Sequence, residues 1–150
     1  MDTIVRFSKA KWITARDLCP SGASIFVRSF AVTGGVRAAK VLASAMGMYD
    51  LFINGRRVGD ALFTPGFTAY KKRVQVQEYD VAALLCEGEN TLAISVGKGW
   101  AASEIQFAYI TDHVSAICEL SVDFESGESL TVGTDADFSV YSSPVLFSPP

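Results

Sequence analysis

An all-β chain folded as an antiparallel β-sandwich of the jelly-roll kind, with at most one short helical turn, is the fold class that this sequence predicts. Three observations lead to it. Apolar and β-branched residues recur in short alternating runs, glycine-rich turns separate those runs, and no glycine-rich phosphate loop or strand–helix–strand rhythm competes. With 150 residues and 49% hydrophobic content, the chain is long enough to bury roughly two thirds of its unfolded surface and too short for two typical domains. One domain over residues 1–150 is therefore expected.

The first strand is read over Ser24–Val32, "SIFVRSFAV", which Thr33-Gly34-Gly35 ends. In "VRAAKVLASAMGMYDLFI" the Ala, Met and Leu content favours helix, while the valines and the ending favour strand. It is read as two strands with a kink near Gly47. Beyond the kink Met48, Asp50 and Phe52 alternate with Tyr49, Leu51 and Ile53, so one face carries a carboxylate and the other is wholly apolar. Asn54-Gly55 tolerates the positive φ that a two-residue type I′ turn demands at both positions, which sends Arg56–Val58 back beside Leu51–Ile53.

After Gly59-Asp60 the segment "ALFTPGFTAY" places a Pro65-Gly66 turn between Phe63, Phe67 and Tyr70, a surface loop rich in aromatic residues. "RVQVQEYDV" alternates as a strand with one wetter face, and Asp80 is positioned to cap a helical turn over "VAALL". "CEGEN" closes that turn. "TLAISVG" is the next strand, ended by "GKGW". In "SAICELSVDF" the residues Ala116, Cys118, Leu120, Val122 and Phe124 share one face opposite Ser115, Glu119, Ser121 and Asp123, which puts Cys118 in the core. "ESGES" then turns the chain into a returning strand, "LTVG".

Charge and cysteine content exclude several classes. A formal net charge of -3 gives no electrostatic reason to gather phosphates, so nucleic acid is not an expected partner. Arg56-Arg57 and Lys71-Lys72-Arg73 are read as solvated edges. Cys19, Cys86 and Cys118 form no CxxC pair, which suggests reduced thiols and neither a zinc site nor a disulfide framework. "MDTIVRFSKAKW" lacks the apolar core of a signal peptide and no run reaches the length of a membrane span, so a soluble, cytoplasmic chain without membrane contact is expected.

The chemistry-bearing residues are sparse. His113 is the one histidine; no GxSxG or HExxH motif accompanies it, and it is read as a turn residue. Asp60, Glu104 and Asp112 fall in expected loops, but acidic pairs in sequence do not reveal the separation that glycoside hydrolysis needs. No catalytic residue, metal ligand or cofactor is assigned. The aromatics offer more, because a flat ring presents a large contact to the C–H face of a sugar at low ordering cost. Trp100, Phe67 and Tyr70 are the carbohydrate-binding candidates; the competing reading has them plugging the open ends of the sandwich. Asn54 and Gly55 are assigned to the turn.

Ordered motifs run from Tyr49 to Trp100. Tyr49, Leu51, Ile53, Asn54, Gly55, Arg57, Val58, Gly59 and Asp60 are followed by Pro65, Gly66, Thr68, Tyr70, Lys72, Arg73 and Val74. Then come Tyr79-Asp80-Val81, Gly88-Glu89-Asn90, and Gly97, Gly99 and Trp100. This series resembles the N-terminal non-catalytic β-sandwich domain of bacterial α-L-rhamnosidases, with looser likeness upstream through "KWITA" and "FVRSFAV" and downstream through Thr134-Asp135. Phe67 stands where that family usually has Trp, Ala101 follows Trp100 where Tyr is common, and the stretch from Trp100 to Ser115 is shorter.

The resemblance implies a galactose-binding-like sandwich excised from a longer glycoside hydrolase. Its partners would be the catalytic and other domains of the parent and a rhamnose-containing glycan. It also implies that hydrolysis, with inversion, rests on glutamates of a helical domain C-terminal to this one, so that this chain alone is not an enzyme. The alternatives are a free-standing carbohydrate-binding module and the sugar-binding domain of a β-galactosidase-like hydrolase, which shares the "INGxxVG" and "GEN" features but not "PGFTAYKKRV".

Overall fold

A computed structural model describes residues 6–15, 23–102 and 110–144; Cys19 and Glu104 lie outside them. The strands are β1 (Ile13–Thr14), β2 (Ser24–Val32), β3 (Val36–Met46), β4 (Met48–Ile53), β5 (Arg56–Arg57), β6 (Gln77–Asp80), β7 (Gly88–Gly97), β8 (Ser115–Phe124), β9 (Ser129–Gly133) and β10 (Ser139–Ser142), with one 3-10 turn at Ala82–Leu84. They build two antiparallel sheets. One runs β10-β2-β7-β4-β5; in the other β8 pairs β3 on one side and both β1 and β9 on the other, and β3 continues to β6. Only the β4–β5 and β8–β9 hairpins stay within a sheet; the other connections between successive strands cross the sandwich. That crossing makes the fold a jelly-roll sandwich and not a meander.

Alternation decides what fills the space between the sheets. Leu51 and Ile53 of β4 and Leu92, Ile94 and Val96 of β7 meet Val41, Leu120 and Val122 of β3 and β8, all fully buried. Each such side chain contributes about 1.5–3 kcal/mol on leaving water. Ala39, Ala43, Ala45 and Ala116 keep the β3–β8 side of the core thin. Cys118 lies among them, as its place in the alternation predicts.

The kink expected near Gly47 separates β3 from β4, where the chain passes from one sheet to the other. Gly47 adopts φ +147, and a Cβ there would land on the Gly97 carbonyl oxygen. The Asn54-Gly55 turn is also as predicted, with φ of 52 and 73 at the two positions, and Phe52↔Arg57 and Ile53↔Arg56 pair beside it. Asp80 Oδ1 accepts from the Ala82 N–H at 3.1 Å and so steadies the 3-10 turn from one residue before its cap position.

Four expectations need correction. The strand read over Arg73–Val81 is confined to Gln77–Asp80, because the Ser44 hydroxyl donates to the Gln75 carbonyl at 2.6 Å and takes the place of further ladder. The strand read from Thr91 begins at Gly88, whose segment pairs with Phe30–Val32. Asn90 does the work of the turn by donating from Nδ2 to the carbonyls of Cys86 and Gly88 while its own backbone stays in the sheet. Glu119, read as one of the polar residues opposite the core face of β8, is only 5% exposed, since residues 8–10 cross over it and donate to its carboxylate. The two-residue β1 and the serine-flanked edge strand β10 were not anticipated, being too short or too polar to show an alternation.

Candidate functional site

The loop between β5 and β6 starts from a hairpin that is cross-linked to a neighbouring turn. Asn54 Nδ2 donates to Asn90 Oδ1 at 2.8 Å and to the Leu84 carbonyl at 3.0 Å, and Asn54 Oδ1 accepts from the Thr91 N–H at 2.9 Å. Asn90 Oδ1 also accepts from the Cys86 N–H at 2.9 Å. The "NG" and "GEN" features are thus two ends of one amide network. Asn90 is fully buried, and leaving such a group unpaired costs about 1–3 kcal/mol.

Arg57 is the second fastening, which corrects its reading as a solvated edge charge. Its Nε and Nη2 reach Asp50 Oδ1 at 2.9 and 2.7 Å, Nη1 donates to the Gly59 carbonyl at 3.0 Å, and Nη2 donates to the Ala61 carbonyl at 2.7 Å. A rigid guanidinium fork suits this division between a carboxylate and two carbonyls. Lys71 and Lys72 are exposed, as a solvated run should be.

Thr64 supplies the third. Its carbonyl accepts from the Tyr49 N–H at 2.9 Å and its hydroxyl donates to the Tyr49 carbonyl at 2.7 Å, so the loop adds a short rung beside β4. Below it the Tyr49 hydroxyl donates to Gln77 Oε1 at 2.9 Å and lies 3.2 Å from the Tyr79 hydroxyl, while Gln77 Nε2 donates to the Pro65 carbonyl. Burial, reinforced by Tyr79, pushes the Tyr49 phenol far above its ordinary range, so it stays protonated as a structural group.

On this base the loop presents a continuous aromatic face. Phe63 and Trp100 have ring centroids 6.1 Å apart and tilted by 50°; Phe67 meets Trp100 at 6.3 Å and Tyr70 at 6.1 Å, both edge to face. The structure therefore brings all three sequence candidates together. They are not equally placed. Phe67 is 63% exposed and Trp100 is partly exposed, whereas Tyr70 is 7% exposed and its hydroxyl donates to the Gly66 carbonyl at 2.9 Å. Tyr70 supports the face from beneath. Phe63, 64% exposed, and its neighbour Leu62 belong to the outer layer; the consecutive apolar pair in a loop was the signal that could have singled them out.

Cys118 and His113 are held in settings that do not activate them, while Cys86 is a free, exposed thiol away from the aromatic rings. Burial, with the Glu119 charge next to it, pushes the Cys118 thiol up to about 12, so no thiolate forms near neutrality. His113 stands in the turn before β8 with Nδ1 against Asp112 Oδ1. Among the described residues no three of His, Cys, Asp and Glu come together in a way that could hold a metal ion.

The two-sheet topology, with its crossings between layers, defines an antiparallel jelly-roll β-sandwich domain. Residues 34–149 match the model of the α-L-rhamnosidase N-terminal domain, and the chain belongs to that family. It is 34% identical over 114 residues to an α-L-rhamnosidase of Streptomyces avermitilis, covering 74% of this chain and 11% of that protein. The crystal structure of native α-L-rhamnosidase from Aspergillus terreus superposes with a TM-score of 0.87 at 26% identity, covering 94% of this chain and 17% of that one. The Streptomyces avermitilis α-L-rhamnosidase complexed with L-rhamnose superposes with a TM-score of 0.83 at 32% identity, covering 87% and 13% of the two chains. The chain spans only 11%, 12% and 17% of the length of three curated relatives, all α-L-rhamnosidases.

Proposed function

We propose that this chain serves an inverting α-L-rhamnosidase as a non-catalytic accessory domain. It packs on the catalytic domain and helps to hold rhamnose-containing glycan on its aromatic loop face, through Phe67 and Trp100 with Tyr70 as their support. Cleavage of terminal α-L-rhamnose belongs to another part of the parent protein. The observation that carries the reading is the family match over residues 34–149. The inert settings of Cys118 and Tyr49 and the turn position of His113 agree with a module that does no bond-breaking of its own.

The test is direct. The purified 150-residue chain, incubated with an aryl α-L-rhamnoside, should release no phenol above the buffer rate; measurable turnover by the pure chain would overturn the proposal. A second reading, a free-standing carbohydrate-binding module, draws on the exposed rings of Phe63 and Phe67. Saturable change in Trp100 fluorescence on adding L-rhamnose would favour it. A flat response to millimolar sugar would count against it and leave domain packing as the use of the face.

A further inference from the structure

The Leu62–Phe63 step does more than extend the aromatic face. It overhangs the outer side of the β4–β7 pair and closes a depression of about 320 Å³, at the small end of the range of ligand clefts. Its floor follows from register. Asp50 and Ser95 are direct partners across β4 and β7, so their side chains stand side by side on the outer face, and Gly97, the partner of Met48, contributes no side chain and leaves room.

Phe63 is held here at a cost. Its φ is 59, a left-handed conformation that is unusual for a bulky residue and costs on the order of 1–3 kcal/mol. Burial does not repay that cost, because the ring is 64% exposed. The surrounding bonds impose it: Arg57 fixes the carbonyls of Gly59 and Ala61 on one side, and Thr64 is pinned to Tyr49 on the other. Strain of this kind is characteristic of positions where a side chain is presented to a ligand.

The polar groups of the depression are divided. Arg57 spends its donors on Asp50 and the two carbonyls. Both of its contacts to the carboxylate fall on Asp50 Oδ1, so Oδ2 has no partner among the described residues, and neither does the Ser95 hydroxyl. The site therefore offers one strong acceptor, one hydroxyl that both donates and accepts, an aromatic face and an apolar rim at Leu62. We propose that it is a subsite for a single neutral sugar residue, with the C–H face of the sugar on Phe63, one hydroxyl donating to Asp50 Oδ2 and another bonded to Ser95 Oγ. Arg57 is already matched by Asp50 and the open oxygen belongs to a carboxylate, so an anionic sugar is repelled. The inference rests on the glycan-holding reading above and gives it a polar anchor that Phe67 and Trp100 do not provide.

Amide NMR of the 150-residue chain, titrated separately with L-rhamnose, D-galactose and D-glucuronate, tests it. Saturable shifts centred on residues 50, 63 and 95 are expected with a neutral sugar and not with glucuronate. Ser95→Ala and Phe63→Gly should each weaken binding at least about fivefold, roughly the value of one good contact, while Glu128→Ala, in the exposed β8–β9 turn, leaves affinity unchanged. Phe63→Gly also relieves the φ strain, so its melting temperature should not fall, which separates lost binding from lost folding. No saturable shift with either neutral sugar would overturn both the subsite and the glycan reading. Binding that survives in Phe63→Gly and Ser95→Ala but disappears in Phe67→Ala would overturn the subsite alone. Equal binding of glucuronate would overturn the choice of a neutral ligand.

Discussion

Replacing Glu119 by Gln should destabilise the domain by about 3 kcal/mol, although the change is nearly isosteric and lies far from the aromatic loop. The carboxylate accepts from the Ser8 N–H at 2.9 Å and the Ser8 hydroxyl at 3.0 Å on Oε1, and from the N–H groups of Lys9 at 2.6 Å and Ala10 at 2.9 Å on Oε2. A glutamine keeps one acceptor oxygen and can satisfy only one of these pairs; its NH2 then faces either the N–H groups of Lys9 and Ala10 or that of Ser8, which have no other partner among the described residues. Leaving a buried donor unpaired costs about 1–3 kcal/mol, and the surviving bonds lose their charge assistance. Urea unfolding followed by tryptophan fluorescence measures the loss. With a slope of about 1–3 kcal/mol per molar for a domain of this size, the midpoint should fall by roughly 1–3 M.

The pH dependence sharpens the test. Burial alone would raise the Glu119 pKa, but the bonds from Ser8, Lys9 and Ala10 more than reverse it and hold the group below its ordinary value. A depressed folded-state pKa contributes stability that is present above the unfolded value of about 4.3 and lost as the pH falls through the folded one. The gap between wild type and Glu119→Gln should therefore be full at pH 7 and narrow steadily below about pH 4. A gap under about 0.5 kcal/mol at neutral pH, or one that persists unchanged into strong acid, would refute the assignment of Glu119 as the charged anchor of the N-terminal segment.

Three further outcomes follow from the geometry. Gly55→Val should cost about 1–2 kcal/mol through positive φ alone, since nothing lies within 4 Å of a Cβ there. Gly47→Ala should cost more, because strain is joined by a backbone collision; thermal melting of the two variants should show the larger drop for Gly47→Ala. Asn90→Ala strips a fully buried amide from the link between the hairpin and the preceding turn, and should lower stability by about 2–4 kcal/mol in the same unfolding assay. In native protein at pH 8, a thiol reagent followed by mass mapping should label the exposed Cys86 and leave Cys118 unmodified until the chain is unfolded.

What was legible in the sequence, and what was not, divides along a physical line. β2 and β8 were readable to their ends, and the Asn54-Gly55 hairpin to its register, because alternation and turn preference are local properties of consecutive residues. The features that escaped are polar groups satisfied by segments remote in the chain. Glu119 reads as a solvated strand residue until residues 8–10 cross it, Arg57 reads as an edge charge until the loop carbonyls reach it, and Asn90 reads as a turn residue until Asn54 meets it. The aromatic loop shows the same division on a smaller scale. Its composition announced a face, but which ring would reach solvent was settled by a backbone dihedral at Phe63 and by one hydrogen bond from Tyr70 to the Gly66 carbonyl. Neither can be read from residue type, since Phe favours the left-handed region no more than Tyr does and both rings gain equally from burial. The restraints that decide it, at Arg57 and Thr64, come from β4 and β5. The strand register that closes the hairpin therefore also fixes which aromatic the loop presents, and a change at Asp50 or Arg57 should alter the presentation of Phe63 before it alters the sandwich.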